Sequence, residues 1–137
     1  MPERRSPERR SSERPRRQWL PSPPALVRAF EDAVHPLRDV KQRKMFGYPA
    51  VFVNGNMFAG LVRDRMILRL GEPDRDEFLA LPGATSFIAM GRRMREWVDV
   101  PPAVVKSEPN LRTWLRKALT RGRALPAKGP RRARARK

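Results

Sequence analysis

Few side chains in this sequence have the type and spacing that catalysis or metal binding requires. His35 is the only histidine, and the chain has no cysteine, which excludes disulfides, thiolate catalysis and cysteine-ligated metals. No serine lies in a Gly-x-Ser-x-Gly turn or another nucleophile context. We therefore expect an exposed or capping His35 after a helix, no catalytic residue, no cofactor and no metal. The protein is predicted not to be an enzyme.

An acidic cluster is formed by Glu72, Asp74, Asp76 and Glu77, next to Pro73. Its spacing is not that of a calcium-binding loop. Acids and a proline are typical of the first turn of a helix, where negative charge interacts favourably with the helix dipole. The cluster therefore predicts a short helix and no metal site.

Basic side chains are concentrated at the two ends of the chain. Residues 1–18 hold seven arginines against three glutamates, and residues 121–137 hold eight basic residues and no acid. These segments have almost no apolar side chain to bury. We therefore predict disordered basic tails at 1–20 and 123–137, around a single domain at 21–122.

A flexible basic tail can lie along phosphates and release counterions, which gives affinity for DNA or RNA without base readout. The residues predicted to make such contacts are Arg121, Arg123, Lys128, Arg131, Arg132, Arg134, Arg136 and Lys137. Arginine outnumbers lysine 25 to 6, so a GC-rich genome is an alternative origin of these tails, without selection for binding. Arg121-Gly122-Arg123 also resembles the centre of an AT-hook, although Ala124 replaces its proline and the segment overlaps a helix end.

The folded part begins with a helix and an antiparallel meander. Ser22 precedes two prolines, the order expected at a helix start, and apolar spacing predicts a helix from about Pro23 to Val34. Residues 46–53 and 57–62 are β-rich runs separated by Asn54-Gly55, a pair that favours a type I′ turn. Residues 66–70 add a third strand.

After the acidic helix, residues 85–90 and 94–100 predict a hairpin around Gly91-Arg92. Its second strand places Trp97 with Arg95 on one side, where Trp97 could stack on bases or pack under a tail or subunit. Ser107 is expected to cap a last helix that ends at Gly122. The apolar stripe of that helix consists of Leu111, Trp114, Leu115, Ala118 and Leu119.

This order of elements, α-β-β-β-α-β-β-α, describes an α+β fold with an antiparallel sheet and helices on one face. No glycine-rich loop links a strand to a helix, which excludes a dinucleotide-binding or P-loop domain. No apolar run reaches the roughly 18 residues of a membrane span, and the arginine-rich start without an apolar stretch behind it leads us to expect no signal peptide. We expect a cytoplasmic protein without a membrane partner.

Several spaced motifs resemble the signature of the TfoX (Sxy) N-terminal domain family. They are Arg43-Lys44-Met45-Phe46-Gly47-Tyr48-Pro49, then the run from Phe52 through Asn54-Gly55 and Met57-Phe58 to Leu61, then Arg92-Arg93-Met94-Arg95-Glu96-Trp97-Val98, and the Trp114-Leu115 helix. The resemblance spans about residues 23 to 126. It implies a two-layer α/β sandwich like that of secretion chaperones.

The signature residues are expected to be structural. Met45 and Phe46 before Gly47 predict a packed strand start, Asn54 and Gly55 a turn, and Met57 and Phe58 the next strand. Longer family members regulate bacterial competence for DNA uptake, carry a second C-terminal domain and act with a transcription activator. A basic tail of about 15 residues follows the domain here, so the resemblance does not transfer the competence role.

Three functional hypotheses remain. The leading one is a non-enzymatic, accessory regulatory or nucleic-acid-binding protein that uses its basic tails. The second is a protein–protein adaptor in which the sheet face or its edge binds a partner. The third, an enzyme on nucleic acid such as an RNA methyltransferase, is disfavoured because about 100 folded residues without a glycine-rich loop leave no cofactor site.

Overall fold

The computed structural model describes residues 20–127, which form one antiparallel sheet and four helices. The elements are α1 (Pro24–Val34), β1 (Lys41–Met45), β2 (Tyr48–Val53), β3 (Asn56–Val62), β4 (Arg65–Arg69), α2 (Glu72–Leu79), β5 (Thr85–Ala89), β6 (Arg92–Asp99), α3 (Pro102–Lys106) and α4 (Glu108–Ala124). The six strands lie in the order β1-β2-β3-β4-β6-β5. The predicted α+β class and order are confirmed, and the structure adds β1 and the short α3.

The predicted tails fall almost entirely outside the described residues. Of the segment 1–20, Leu20 alone is described, and of 123–137 the description reaches Ala127. The tail predictions therefore stay predictions.

The core lies between the helices and one face of the sheet. Register aligns Val51, Ala59, Leu68 and Val98 across four neighbouring strands, and all four are buried. All four helices contribute buried side chains to the same cluster, and α4 packs across β2, β3 and β4. Phe78 of α2 meets Trp114 of α4 edge to face, with ring centroids 4.9 Å apart. The predicted apolar stripe of α4 is buried throughout.

Three hairpin turns have positive φ at both central residues, as a type I′ turn requires. Asn54-Gly55 is one of them, with φ of 51° and 79°, and this prediction is confirmed. The other two are Phe46-Gly47 and Met90-Gly91, so the last turn lies one residue earlier than predicted. A bulky residue with positive φ costs about 1–3 kcal/mol, which is why the sequence pattern did not indicate these positions.

The expectation that Met45 and Phe46 are packed is wrong. The side chains lie at the tip of the β1–β2 hairpin, where Phe46 is 87% exposed and Met45 37%. Phe58 is fully buried in the core, and Met57 is half-buried on the opposite sheet face. The family signature therefore marks turns and strands, but its Met45 and Phe46 are surface residues.

The helix ends differ from the predictions. Pro23 holds the cap position of α1 and Ser107 that of α4, and neither helix start receives a side-chain cap hydrogen bond. Helix α4 does not stop at Gly122 but continues to Ala124. Gly122 is buried because the helix approaches the sheet there: a Cβ atom on it would lie 2.7 Å from Val53 Cγ1.

Candidate nucleic-acid interface

The sheet face that points away from the helices carries a mixture of aromatic, aliphatic and cationic side chains, and we call it the open face. Register aligns Ala50, Gly60 and Ile67 on it, and neither Ala50 nor Ile67 belongs to the core cluster. Both are nevertheless buried. Longer neighbours cover this face, since Met57 Cε lies 2.6 Å from where a Cβ of Gly60 would be.

Two arginines lie over aromatic rings of the open face. Arg43 Cζ of β1 is 5.9 Å from the centroid of Phe52, and Arg69 Cζ of β4 is 5.7 Å from that of Trp97. Cation–π contacts of this kind hold the guanidinium groups at the surface. Aromatic rings and guanidinium planes are also the groups on which unpaired bases stack.

Glu96 links the open face to the end of α4. Its Oε1 accepts hydrogen bonds from Arg69 Nε at 3.0 Å and from Arg121 Nε at 3.1 Å. Arg69 Nη1 also donates to the Met57 carbonyl. Partial burial alone would raise the pKa of Glu96, but the hydrogen bonds and charges of Arg121 and Arg69 outweigh it and leave the pKa lowered.

Asp99 of β6 shows the opposite balance. Partial burial raises the pKa of this carboxyl, Arg65 at 3.2 Å offsets part of the effect, and the charge of Asp64 adds to it. The two acids of the sheet therefore differ in their environment: the surroundings of Glu96 stabilise its anionic form, and those of Asp99 do not.

Two clusters of cations lie on the sheet without acids among them. Strand β1 carries Lys41, Arg43 and Lys44 at one edge. The β5–β6 hairpin carries Arg92, Arg93 and Arg95 at the other, and we call residues Ile88 to Arg95 the basic arm. All six side chains are exposed, and none makes an ion pair with a residue between 20 and 127.

Two of the predicted phosphate-contacting residues are described, both in the last turn of α4. Arg121 is half-buried and pairs with Glu96. Arg123 is exposed and donates a hydrogen bond to the Arg38 carbonyl at 3.3 Å. Lys128, Arg131, Arg132, Arg134, Arg136 and Lys137 lie outside the described residues. Arg121-Gly122-Arg123 is helical with Gly122 buried, which does not fit an AT-hook that enters a groove.

Sequence reasoning missed the basic arm as a site. Its signal was present, because Arg92-Arg93-Met94-Arg95 has three cations in four residues beside a glycine turn. The run by itself indicates only a strand and the family signature, because a sequence pattern does not show how far a hairpin extends beyond the neighbouring strand.

The remaining candidates do not come together in a site within residues 20–127. His35 is an exposed residue at the end of α1, and its backbone N–H donates to the Glu31 carbonyl. Glu72 and Asp74 occupy the first turn of α2, as predicted, and Asp74 pairs with Lys117 at 3.4 Å. Between residues 20 and 127, no three His, Cys, Asp or Glu side chains are close enough to share a metal ion. No helix in that range has the length and apolar content to cross a membrane.

These features define a small two-layer α+β domain in which helices cover one sheet face and leave the other open. The sequence model of the TfoX N-terminal domain matches residues 32–121, and the chain belongs to that family. This match confirms the family resemblance seen in the sequence. A comparison with curated proteins found no match.

Proposed function

We propose that this TfoX N-terminal domain protein is an accessory regulatory protein that binds nucleic acid through phosphate contacts and has no catalytic role. The observation that carries the proposal is the pair of acid-free cation clusters on β1 and the basic arm. Because these six side chains have no ion pair to give up within residues 20–127, they can neutralise phosphates without a compensating loss.

The overall charge supports the same function. Residues 20–127 contain 18 basic and 11 acidic side chains, a net charge of +7, and the whole chain carries +17. A field of this sign accelerates association with polyanions and favours binding along their backbones. The tails add positive charge, and the folded domain adds cationic side chains whose positions are fixed relative to one another.

Salt titration tests this proposal. The affinity of the full chain for labelled duplex and single-stranded oligonucleotides should fall steeply with salt and depend little on sequence. Truncation after Ala127 removes six cations and should reduce the slope of log affinity against log salt by up to about 5. An unaltered slope would assign binding to the folded domain alone. Absence of binding to any oligonucleotide at low salt would refute the proposal.

A second candidate, the protein–protein adaptor, is favoured by the edge strand β5. Thr85–Ala89 contains no charged residue, whereas the opposite edge, β1, is protected by three cations. Charged edges discourage strand pairing, and an uncharged edge can accept an extended peptide as an added strand. Partners that survive nuclease treatment in a pull-down would support the adaptor, and partners lost with the nucleic acid would support the leading proposal.

A further inference from the structure

The basic arm extends past the end of the strand beside it. Strand β6 pairs with β4 across Trp97, Val98 and Asp99, while Arg92 and Arg93 pair only with β5 in the described sheet. The hairpin therefore projects beyond β4 through the pairs Ile88–Arg93 and Ala89–Arg92 and the Met90-Gly91 turn, and a register shift between Ser86 and Ile88 separates this end from the regular ladder. Ile88 is 57% exposed and Met90 99%, so this hairpin end contributes little to the core.

The arm presents cations on both of its faces. Arg93 lies opposite Ile88 and Arg92 opposite Ala89, so adjacent arginines point to different sides of the two-stranded ribbon. Residues 85–95 include no acid. Glu96, the acid at the base of the arm, is already paired with Arg69 and Arg121.

The tip of the arm has an unfavourable residue for its conformation. Met90 has φ of 53° in a type I′ turn, where asparagine, as in Asn54-Gly55, is preferred. Its side chain is almost fully exposed, so packing within residues 20–127 does not offset this cost. An outlier of this kind, with an apolar side chain held at the end of a cationic ribbon, points to a contact with another molecule.

We propose that the basic arm binds duplex DNA, with Arg92, Arg93 and Arg95 on the phosphates that flank the minor groove and Met90 against a base step. This inference rests on the proposed function and adds the form of nucleic acid and the element that contacts it. Proteins that bind the minor groove insert apolar side chains between base steps and bend the duplex. A duplex presents a row of phosphates on each side of a groove, and these two rows match the arginines on the two faces of the ribbon. A single strand of nucleic acid presents only one such row.

A substitution of Met90 tests the groove contact without changing the net charge or destabilising the fold. In the full chain, Met90→Asn keeps the net charge and creates a preferred Asn-Gly turn, so the melting temperature should be equal or higher. A duplex of about 30 base pairs with a dye at each end reports bending by energy transfer. We expect the unmodified chain to bend this duplex and Met90→Asn to lose most of the bend. An unchanged bend with Met90→Asn would overturn the inference.

Charge variants test the arginines against a matched control. Arg92→Gln/Arg93→Gln/Arg95→Gln should lower the salt slope by about 2.7, at 0.9 per phosphate. The control Arg28→Gln/Lys106→Gln/Arg116→Gln removes three exposed cations from the helices and should change the slope far less. Equal losses, or tighter binding to single strands than to duplex, would overturn the inference while leaving the proposed function in place. A chain that binds no oligonucleotide at low salt would instead refute the proposed function.

Discussion

At the scale of single residues, Gly122 and Asn56 fix the end of α4 on the sheet. Asn56 is 1% exposed, and its Nδ2 donates to the carbonyls of Gly122 at 3.3 Å and Pro126 at 3.0 Å. Gly122 itself packs on Val53 and Phe58. A glycine in a helix is normally a weakness, and here it permits close approach of helix and sheet.

The substitution Gly122→Ala should destabilise the fold by about 1–2 kcal/mol. The added methyl group would lie 2.7 Å from Val53 Cγ1 and 3.2 Å from Phe58 Cβ, and this overpacking outweighs the helix propensity gained. Urea denaturation followed by circular dichroism measures the change. Arg116→Ala, an exposed position of the same helix, is the control and should shift stability by less than about 0.5 kcal/mol. Increased stability of Gly122→Ala would show that α4 does not approach the sheet so closely.

The hairpin turns show which local conformations can be predicted from single residues of the sequence. Asn54-Gly55 was predictable because both residues tolerate positive φ, so the backbone chemistry alone identifies the turn. Phe46-Gly47 and Met90-Gly91 were not, because Phe46 and Met90 oppose the conformation that strand pairing imposes on them. The exposure of the basic arm was not predictable from the sequence either, because it depends on where β4 stops pairing with β6 and not on the arm's own residues.

At the scale of elements, Glu96 joins three of them: β6, which contains it, β4 through Arg69, and α4 through Arg121.

Strand β1 is an element that the sequence alone does not predict. Its sequence, Lys41 to Met45, has no apolar alternation, and all five residues are exposed. Pairing with β2 forms this strand, so only a tertiary contact defines it. Helix α4, in contrast, was predictable from its buried stripe.

The substitution Glu96→Gln should lower the free energy of unfolding by about 1 kcal/mol at pH 7, because both charge-assisted hydrogen bonds weaken at a partly exposed site. Since the pKa of Glu96 is lowered, its contribution is complete above its ordinary value of 4.5 and is lost as pH falls below that value. The difference between Glu96→Gln and the unmodified protein should therefore shrink in acid, as measured by denaturation at pH 7 and pH 3.5.

Asp99→Asn is the matched control for this measurement. Burial raises the pKa of Asp99, so removal of its charge should leave stability at pH 7 unchanged or slightly increased. A loss for Asp99→Asn as large as that for Glu96→Gln would contradict the assignment of different roles to the two carboxylates.

At the scale of the whole molecule, we expect the folded domain to extend through the contacts that Asn56 makes with Gly122 and Pro126. Removal of 128–137 takes away lysine, arginine, alanine, glycine and proline, and should leave the melting temperature unchanged. Removal of 121–137 also takes away the Arg121–Glu96 pair and both carbonyls bonded by Asn56, and should lower the melting temperature clearly. Calorimetry of the two truncated chains measures this contrast, and equal melting temperatures would show that the end of α4 is not part of the fold.

The contacts of Asn56 also determine where the C-terminal tail starts. Asn56 begins β3 at the same end of the sheet from which the basic arm extends, and two inter-strand spacings, about 10 Å, separate β3 from β6. Pro126, two residues before Lys128, and the arm thus lie at the same end of the sheet. If the arm binds a duplex as we propose, the cations of residues 128–137 should meet neighbouring phosphates at a high effective concentration, so that two individually weak contacts combine into avidity without any additional contact.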